Sequence, residues 1–219
     1  MNVGIAARDT NRLEDSLPDL RAAGAPDARA YGCDVSVENF VEDTFRQAVE
    51  DLGVPRLVVF NAGAFVRRSL AETEADEFER CWRVGCMGAF LVGRAAVRDM
   101  LASEPDEDGR RGTIIFTGAT ASLRGGAGFH NLAVGKFGQR ALAQSMAREF
   151  QPEGIHVAHV IIDGQILAEH RGAMYSEAER GEDALLHPEA IADTYWQIHR
   201  QHRSAWTHEV DLRPFSEKF

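Results

Sequence analysis

The segment from Thr113 to Ile162 constrains the fold most, because it joins two short β-branched runs through a helical one. Thr113-Ile114-Ile115-Phe116-Thr117 is apolar without alternation, the composition of a strand buried on both faces of a parallel sheet. From Leu132 to Phe150, one stripe carries Ala133, Phe137 and Ala141 and the next carries Leu142, Met146 and Phe150, a spacing of four that predicts a helix. Gln151-Pro152-Glu153-Gly154 ends it, and Ile155 to Ile162 is again β-branched, stopping at Asp163-Gly164. Strand, crossover helix and parallel strand is the unit of an α/β sheet.

The remaining chain repeats that alternation. Val3-Gly4-Ile5-Ala6-Ala7 is a short strand ending at Arg8-Asp9. Asp9 or Thr10 is placed to cap a helix carrying Leu13, Leu17 and Leu20 and ending near Gly24. Arg29 to Tyr31 reads as a strand delivering Cys33-Asp34-Val35. Ser36 reads as the cap of a helix striped by Phe40, Val41, Phe45, Ala48, Val49 and Leu52. Leu57 to Phe60 is a buried strand that runs into Asn61-Ala62-Gly63. Thr73 with Asp76 marks a helix start, and Phe78, Trp82, Met87, Phe90, Leu91, Ala95 and Met100 keep helical spacing, with a break expected near Gly85 and Gly88. Ser103 to Gly112 is an exposed loop, and the polar stretch from Gln165 to Leu186 is expected to form a flap over a cleft. His187-Pro188 opens a last helix, and His208 to Leu212 is the sixth strand. These six strands predict one doubly wound parallel sheet in a single domain, 1–219.

Composition narrows the partner. The formal net charge is −10 and the pI is about 5.3, which argues against an electrostatic grip on nucleic acid or an anionic membrane. No apolar stretch is long enough to span a bilayer, and no signal pattern opens the chain, so a cytoplasmic protein with a small-molecule ligand is expected. Cys33, Cys81 and Cys86 give neither a disulfide framework nor a zinc spacing, and no metal is predicted.

Asn61-Ala62-Gly63 at a strand end and Lys136 on the helix after the Thr113 strand resemble the short-chain dehydrogenase/reductase (SDR) family, and the resemblance covers nearly the whole chain. It implies a Rossmann-like fold and NAD(P)(H)-dependent oxidation or reduction of a small carbonyl or alcohol. Val3 to Arg8 matches the family's second strand. The first strand and its Gly-rich phosphate turn are therefore not matched, and a truncated or misassigned start is one expectation. Such a strand would lie between those at Val3 and Leu57, so its loss implies a gap of roughly 9 to 10 Å that something must close. Arg8 falls where an arginine suits the 2′-phosphate of NADP(H) over NAD(H). Asp34 and Val35 match the residues beside adenine, Asn61, Ala62 and Gly63 those beside ribose and nicotinamide, and Gly164 and Ile166 the loop after the later strand. Asp163 stands where the family usually has proline.

The family's catalytic residues are matched at one position of four. Lys136 is kept, as a ribose ligand or as an ordinary lysine, whereas Leu132 replaces the tyrosine, Ala119 the serine and Gly85 the asparagine. His130 is the substitute acid nearest in sequence. The resemblance thus implies an NADP(H)-linked oxidoreductase that binds cofactor weakly and is feeble or inactive. The alternatives are a non-catalytic SDR-like protein acting through assembly with partners, and another doubly wound enzyme such as a methyltransferase. A homo-oligomer is expected through the helices at Ala89 to Met100 and Leu132 to Phe150, where Ala95, Ala96, Ala133, Gly135, Gly138 and Ala143 would let helices approach closely.

Overall fold

The computed structural model describes residues 1–168 and 176–216. Its strands are β1 (Val3–Ala7), β2 (Ala28–Gly32), β3 (Leu57–Phe60), β4 (Gly112–Thr117), β5 (Ile155–Ile162) and β6 (Glu209–Leu212). The helices are α1 (Thr10–Glu14), α2 (Leu17–Ala22), α3 (Glu38–Leu52), α4 (Ala75–Trp82), α5 (Gly88–Ala102), α6 (His130–Phe150), α7 (Glu177–Arg180) and α8 (Pro188–Arg200). The α/β alternation read from the sequence is the architecture.

The strands lie in two parallel sheets, one on each side of the gap expected between β1 and β3. β1 pairs only with β2, in parallel, from Val3 opposite Ala28 to Ala7 opposite Gly32. The other sheet runs β3-β4-β5-β6, all parallel. Helix α5 spans both and fixes their relative sense. At its start, a Cβ on Gly88 would lie 3.0 Å from Val35, just past β2; near its end, Met100 packs against Gly112 at the start of β4. β2 and β4 therefore point the same way, and so do β1 and β3. Between β1 and β3 runs a cleft of about 690 Å³, lined along its length by Gly4 and Ala6 on one side and Leu57 to Phe60 on the other. The gap expected between those strands is present and open.

Burial explains why the larger sheet holds. β4 and β5 are buried at every position, as their unbroken apolar composition requires. On one face, Phe60, Ile114, Phe116 and Val157 pack with Val41 of α3, with α5, and with Met146 and Ala147 of α6. On the other, Ile115, Ala158, Val160 and Ile162 pack with Ile198 of α8. Gly154, at φ 83°, makes the turn from α6 into β5 that the Gln151 to Gly154 sequence signalled.

Several local readings shift. The first helix is two, because the chain turns at Asp15-Ser16 ahead of Pro18; Asp9 does cap the first, accepting from the Arg12 amide at 3.5 Å. Ser36 is not the cap of α3: Val37 holds that position, and Ser36 is tied back to Asp34. Thr73 does not cap α4, since its hydroxyl goes to the Ser69 carbonyl and to His130. Arg83–Met87 is a π-helical segment continuous with α4 and α5, so the helix widens at Gly85 and runs on through Gly88 where a break was expected. The small residues of α5 and α6 face inward: Ala96 and Ala143 are fully buried, and a Cβ on Gly138 would lie 2.5 Å from Cys86 Sγ. They serve packing within the chain. The predicted flap lies in part outside the described residues; Ile166 makes a parallel bridge to Leu186. No described helix is long and apolar enough to cross a membrane.

Candidate functional site

The carboxyl ends of β1, β2 and β3 converge on the mouth of the cleft, and Arg8, Asp34, Val35, Asn61, Ala62 and Gly63 all line it. Six residues chosen from three separate sequence stretches are thus brought to one place by the crossover topology. Asp34 is fixed by its own turn: it accepts from the Ser36 hydroxyl at 2.6 Å and the Ser36 amide at 3.0 Å. Those bonds hold its carboxyl below the usual carboxylate range, and nearby Arg8 adds to the effect. Arg8 is exposed. Arg80 of α4 also lines the cleft and was not foreseen, because nothing in its own segment marks it.

The remaining predicted residues are elsewhere. Lys136 is 7% exposed, and its Nζ donates to the Thr117 carbonyl, to which Gln139 Nε2 also donates at 3.1 Å. Burial pushes its pKa down to about 8. It braces the end of β4 and does not line the cleft. Gly164 packs against Pro214, where a Cβ would come within 2.5 Å of the ring, and Ile166 is on the segment bridged to Leu186; neither lines the cleft. His130 Nε2 is 2.9 Å from Thr73 Oγ1, and the ring stacks on Phe78, so it pins the entry of α6 to α4. Gly85 lies against Gly135, a virtual Cβ coming 3.5 Å from its Cα, an approach that a larger side chain at either position would disturb. Ala119 and Leu132 are half-buried and carry no group able to donate a proton.

Two polar networks near β4 and β5 were missed by sequence reasoning. Arg140 grips Glu209 with two bonds of 2.7 and 2.6 Å, and Glu209 also meets His159 Nδ1 at 3.0 Å. Arg140 chiefly, then His159, holds the Glu209 carboxyl low, while burial pushes the His159 pKa down. Beside them Asp163 accepts from Thr120 Oγ1 and is 2.6 Å from Arg213. This ties the loop after β4 to the end of β5 and the residue after β6. The partners are too far apart in sequence for any local pattern to pair them.

The comparisons agree with this geometry. The family model for short chain dehydrogenases matches residues 1–177. A short-chain dehydrogenase/reductase of Armillaria gallica is 33% identical over 153 residues, covering 70% of this chain and 56% of that protein. A 3-oxoacyl-[acyl-carrier-protein] reductase, MabA, of Mycobacterium avium is 29% identical, covering 74% of this chain and 61% of its own. The chain therefore spans little more than half the length of these relatives. The crystal structure of a short-chain dehydrogenase from Rhodopseudomonas palustris superimposes with a TM-score of 0.80 at 37% identity, covering 98% of this chain and 87% of that one. An alcohol dehydrogenase of Thermococcus sibiricus, solved with 5-hydroxy-NADP, shares the fold at 20% identity and a TM-score of 0.81, covering 99% and 87% of the two chains. The chain belongs to the short-chain dehydrogenase/reductase family, whose members are oxidoreductases built on this Rossmann-like α/β fold.

Proposed function

We propose that this chain binds NADP(H) in preference to NAD(H), weakly and mainly through the adenosine end, and has little or no carbonyl-reducing activity of its own. The observation that carries the reading is the meeting of Arg8, Asp34, Val35 and Asn61 to Gly63 at one cleft mouth. These residues suit half of the cofactor. The exposed Arg8 guanidinium would pair with a 2′-phosphate, Val35 and the Asp34 turn would flank adenine, and Asn61 to Gly63 would lie along the ribose. The other half fits poorly, since among the described residues no helix N-terminus with glycine-backed amides faces the cleft and Lys136 is turned to Thr117. When bound, the cofactor would supply hydride; this chain's residues at 85, 119 and 132 would supply neither the proton nor the polarising hydroxyl that the family uses. The T. sibiricus protein, solved with a cofactor of the NADP type, is consistent with this choice of dinucleotide. The substrate class would be a small carbonyl or alcohol, in the cytoplasm, with the protein acting as a homo-oligomer.

Titration of intrinsic fluorescence with NADPH and NADH tests the reading. Binding is expected in the high-micromolar range, tighter for NADPH, and Arg8→Ala should weaken NADPH by ~10-fold while leaving NADH unchanged, the loss of one exposed charge-assisted contact. If the Arg8→Ala protein kept its preference for NADPH, the assignment of Arg8 would be wrong.

A further inference from the structure

We infer that a hollow at the opposite end of the sheet, between the end of α6 and the turn before β6, binds a small aromatic anion: one ring carrying a phosphate or carboxylate. Its volume is about 330 Å³, and Arg148, Gln151, Arg203 and Trp206 line it. These residues lie beside the amino ends of β5 and β6, whereas the cleft mouth lies at the carboxyl ends of β1, β2 and β3. The two places share no residue. Small-molecule sites run from about 300 to 1,000 Å³, so this one admits a single substituted ring and no dinucleotide.

The two guanidinium groups are positioned by the backbone. Arg148 Nη1 donates to the Gln144 carbonyl at 2.8 Å, and Arg203 Nη1 to the Asp108 carbonyl at 3.0 Å. Among the described residues no carboxylate pairs with either, so Nε and Nη2 of both remain to grip an oxyanion. The end of α6 does not repel one strongly: the carbonyls of Ala147, Phe150 and Gln151 already accept from the amides of Gln151, Glu153 and Gly154. Nor does a carboxylate line the hollow, among the described residues. Trp206 supplies the surface for a ring. One face of its indole stacks on His156, with centroids 4.8 Å apart and planes 4° from parallel, and Nε1 donates to the Gln201 carbonyl at 3.3 Å. His156 is itself buried and bonded to the Thr207 carbonyl, so the indole is held from behind while its free side borders the hollow. A bare oxyanion would leave the indole unused, and an uncharged ring would leave both arginines unused.

The test uses no nucleotide, so it stands apart from the cofactor reading. The probes are phenyl phosphate and benzoate, and the readout is the indole N–H resonance of Trp206. A saturable shift is expected, with Kd on the order of 1 mM for a ligand this small, while the resonances of Trp82 and Trp196, which do not line the hollow, stay in place. Whichever probe binds more tightly names the oxyanion. Inorganic phosphate and benzyl alcohol, each one half of the ligand, should bind at least ~5-fold more weakly than that probe. Arg148→Gln and Arg203→Gln should each weaken it by ~5-fold, and raising NaCl from about 20 to about 500 mM should weaken it in wild type. Arg8→Ala should leave it unchanged, because that charge belongs to the cleft. If neither glutamine variant keeps the circular dichroism of wild type, the two half-ligands and the salt series decide on wild type alone. An unmoved Trp206 resonance, a half-ligand that matches the better probe, affinity independent of salt, or undiminished binding by a folded arginine variant would overturn the inference.

Discussion

At the scale of single residues, Lys136 shows what burial does to a charged side chain. Its neighbours fix it: the helix carries it under the end of β4, where Thr117 offers a carbonyl and no carboxylate among the described residues is paired with it. The ammonium is therefore disfavoured in the folded chain, with a pKa of about 8 against the ordinary lysine value of 10.5. The folded state then binds fewer protons than the unfolded one between those values, so this residue's contribution to stability rises as pH climbs from about 8 to 10.5 and is at its least below 8. The difference is on the order of 3 kcal/mol. Tyr31, its pKa pushed up to about 12, and the three cysteines, all raised by burial, act oppositely at high pH. The signal must therefore be read as a difference. Denaturant unfolding of wild type and Lys136→Met, at intervals from pH 7 to 10.5, should show the variant's relative stability falling by a few kcal/mol across that range. A constant difference would mean that Lys136 is solvated.

At the scale of elements, what could be read from sequence was whatever depends on local pattern. β4 and β5 were legible because Ile114 to Phe116 and Val157 to Ile162 are buried on both faces and so cannot alternate. The end of α1 was not, because a leucine spacing of four and three continues across Asp15-Ser16 while the backbone turns. Ser36 looked like a cap because serine suits both an N-cap and the turn closed by Asp34, and only the second is used. The bidentate Arg140–Glu209 pair, 69 residues apart, leaves no local trace. The same reasoning bears on α6 as a catalytic helix. Leu132→Tyr would place a phenol one turn before Lys136, and Ala119→Ser would add a hydroxyl at the end of β4. Yet Lys136 stays bonded to Thr117, and it does not line the cleft mouth. The double variant should therefore show no NADPH oxidation above wild type on a panel of aldehydes and ketones. A gain of ~10²-fold, the lower end of what a positioned general acid contributes, would mean that α6 is already an active catalytic frame.

For the whole molecule, the expected association through α5 and α6 keeps its place in the fold but changes its physical basis. The alanines and glycines that were to allow close approach between copies are spent inside the chain, where Gly85 meets Gly135 and Gly138 meets Cys86. What these helices show to solvent is larger and more apolar: Phe90 is 41% exposed on α5, and Val134 and Phe137 are 42% and 43% exposed on α6. A two-fold axis would bury each of them twice, and covering one such side chain fully is worth ~1.5–3 kcal/mol against leaving it in water. Arg94, stacked 5.2 Å from the Phe90 ring and paired with Glu38, supplies a polar border to that surface. We therefore predict a homo-oligomer at micromolar concentration in sedimentation velocity, and dissociation to monomer in Phe137→Glu, which would put a carboxylate in the centre of the contact. Val59→Glu is the matched control: Val59 is equally exposed but lies beside the cleft, so the same charge there should leave the assembly intact. Wild type sedimenting only as monomer would remove the α5–α6 interface, and dissociation by Val59→Glu instead of Phe137→Glu would move it to the cleft.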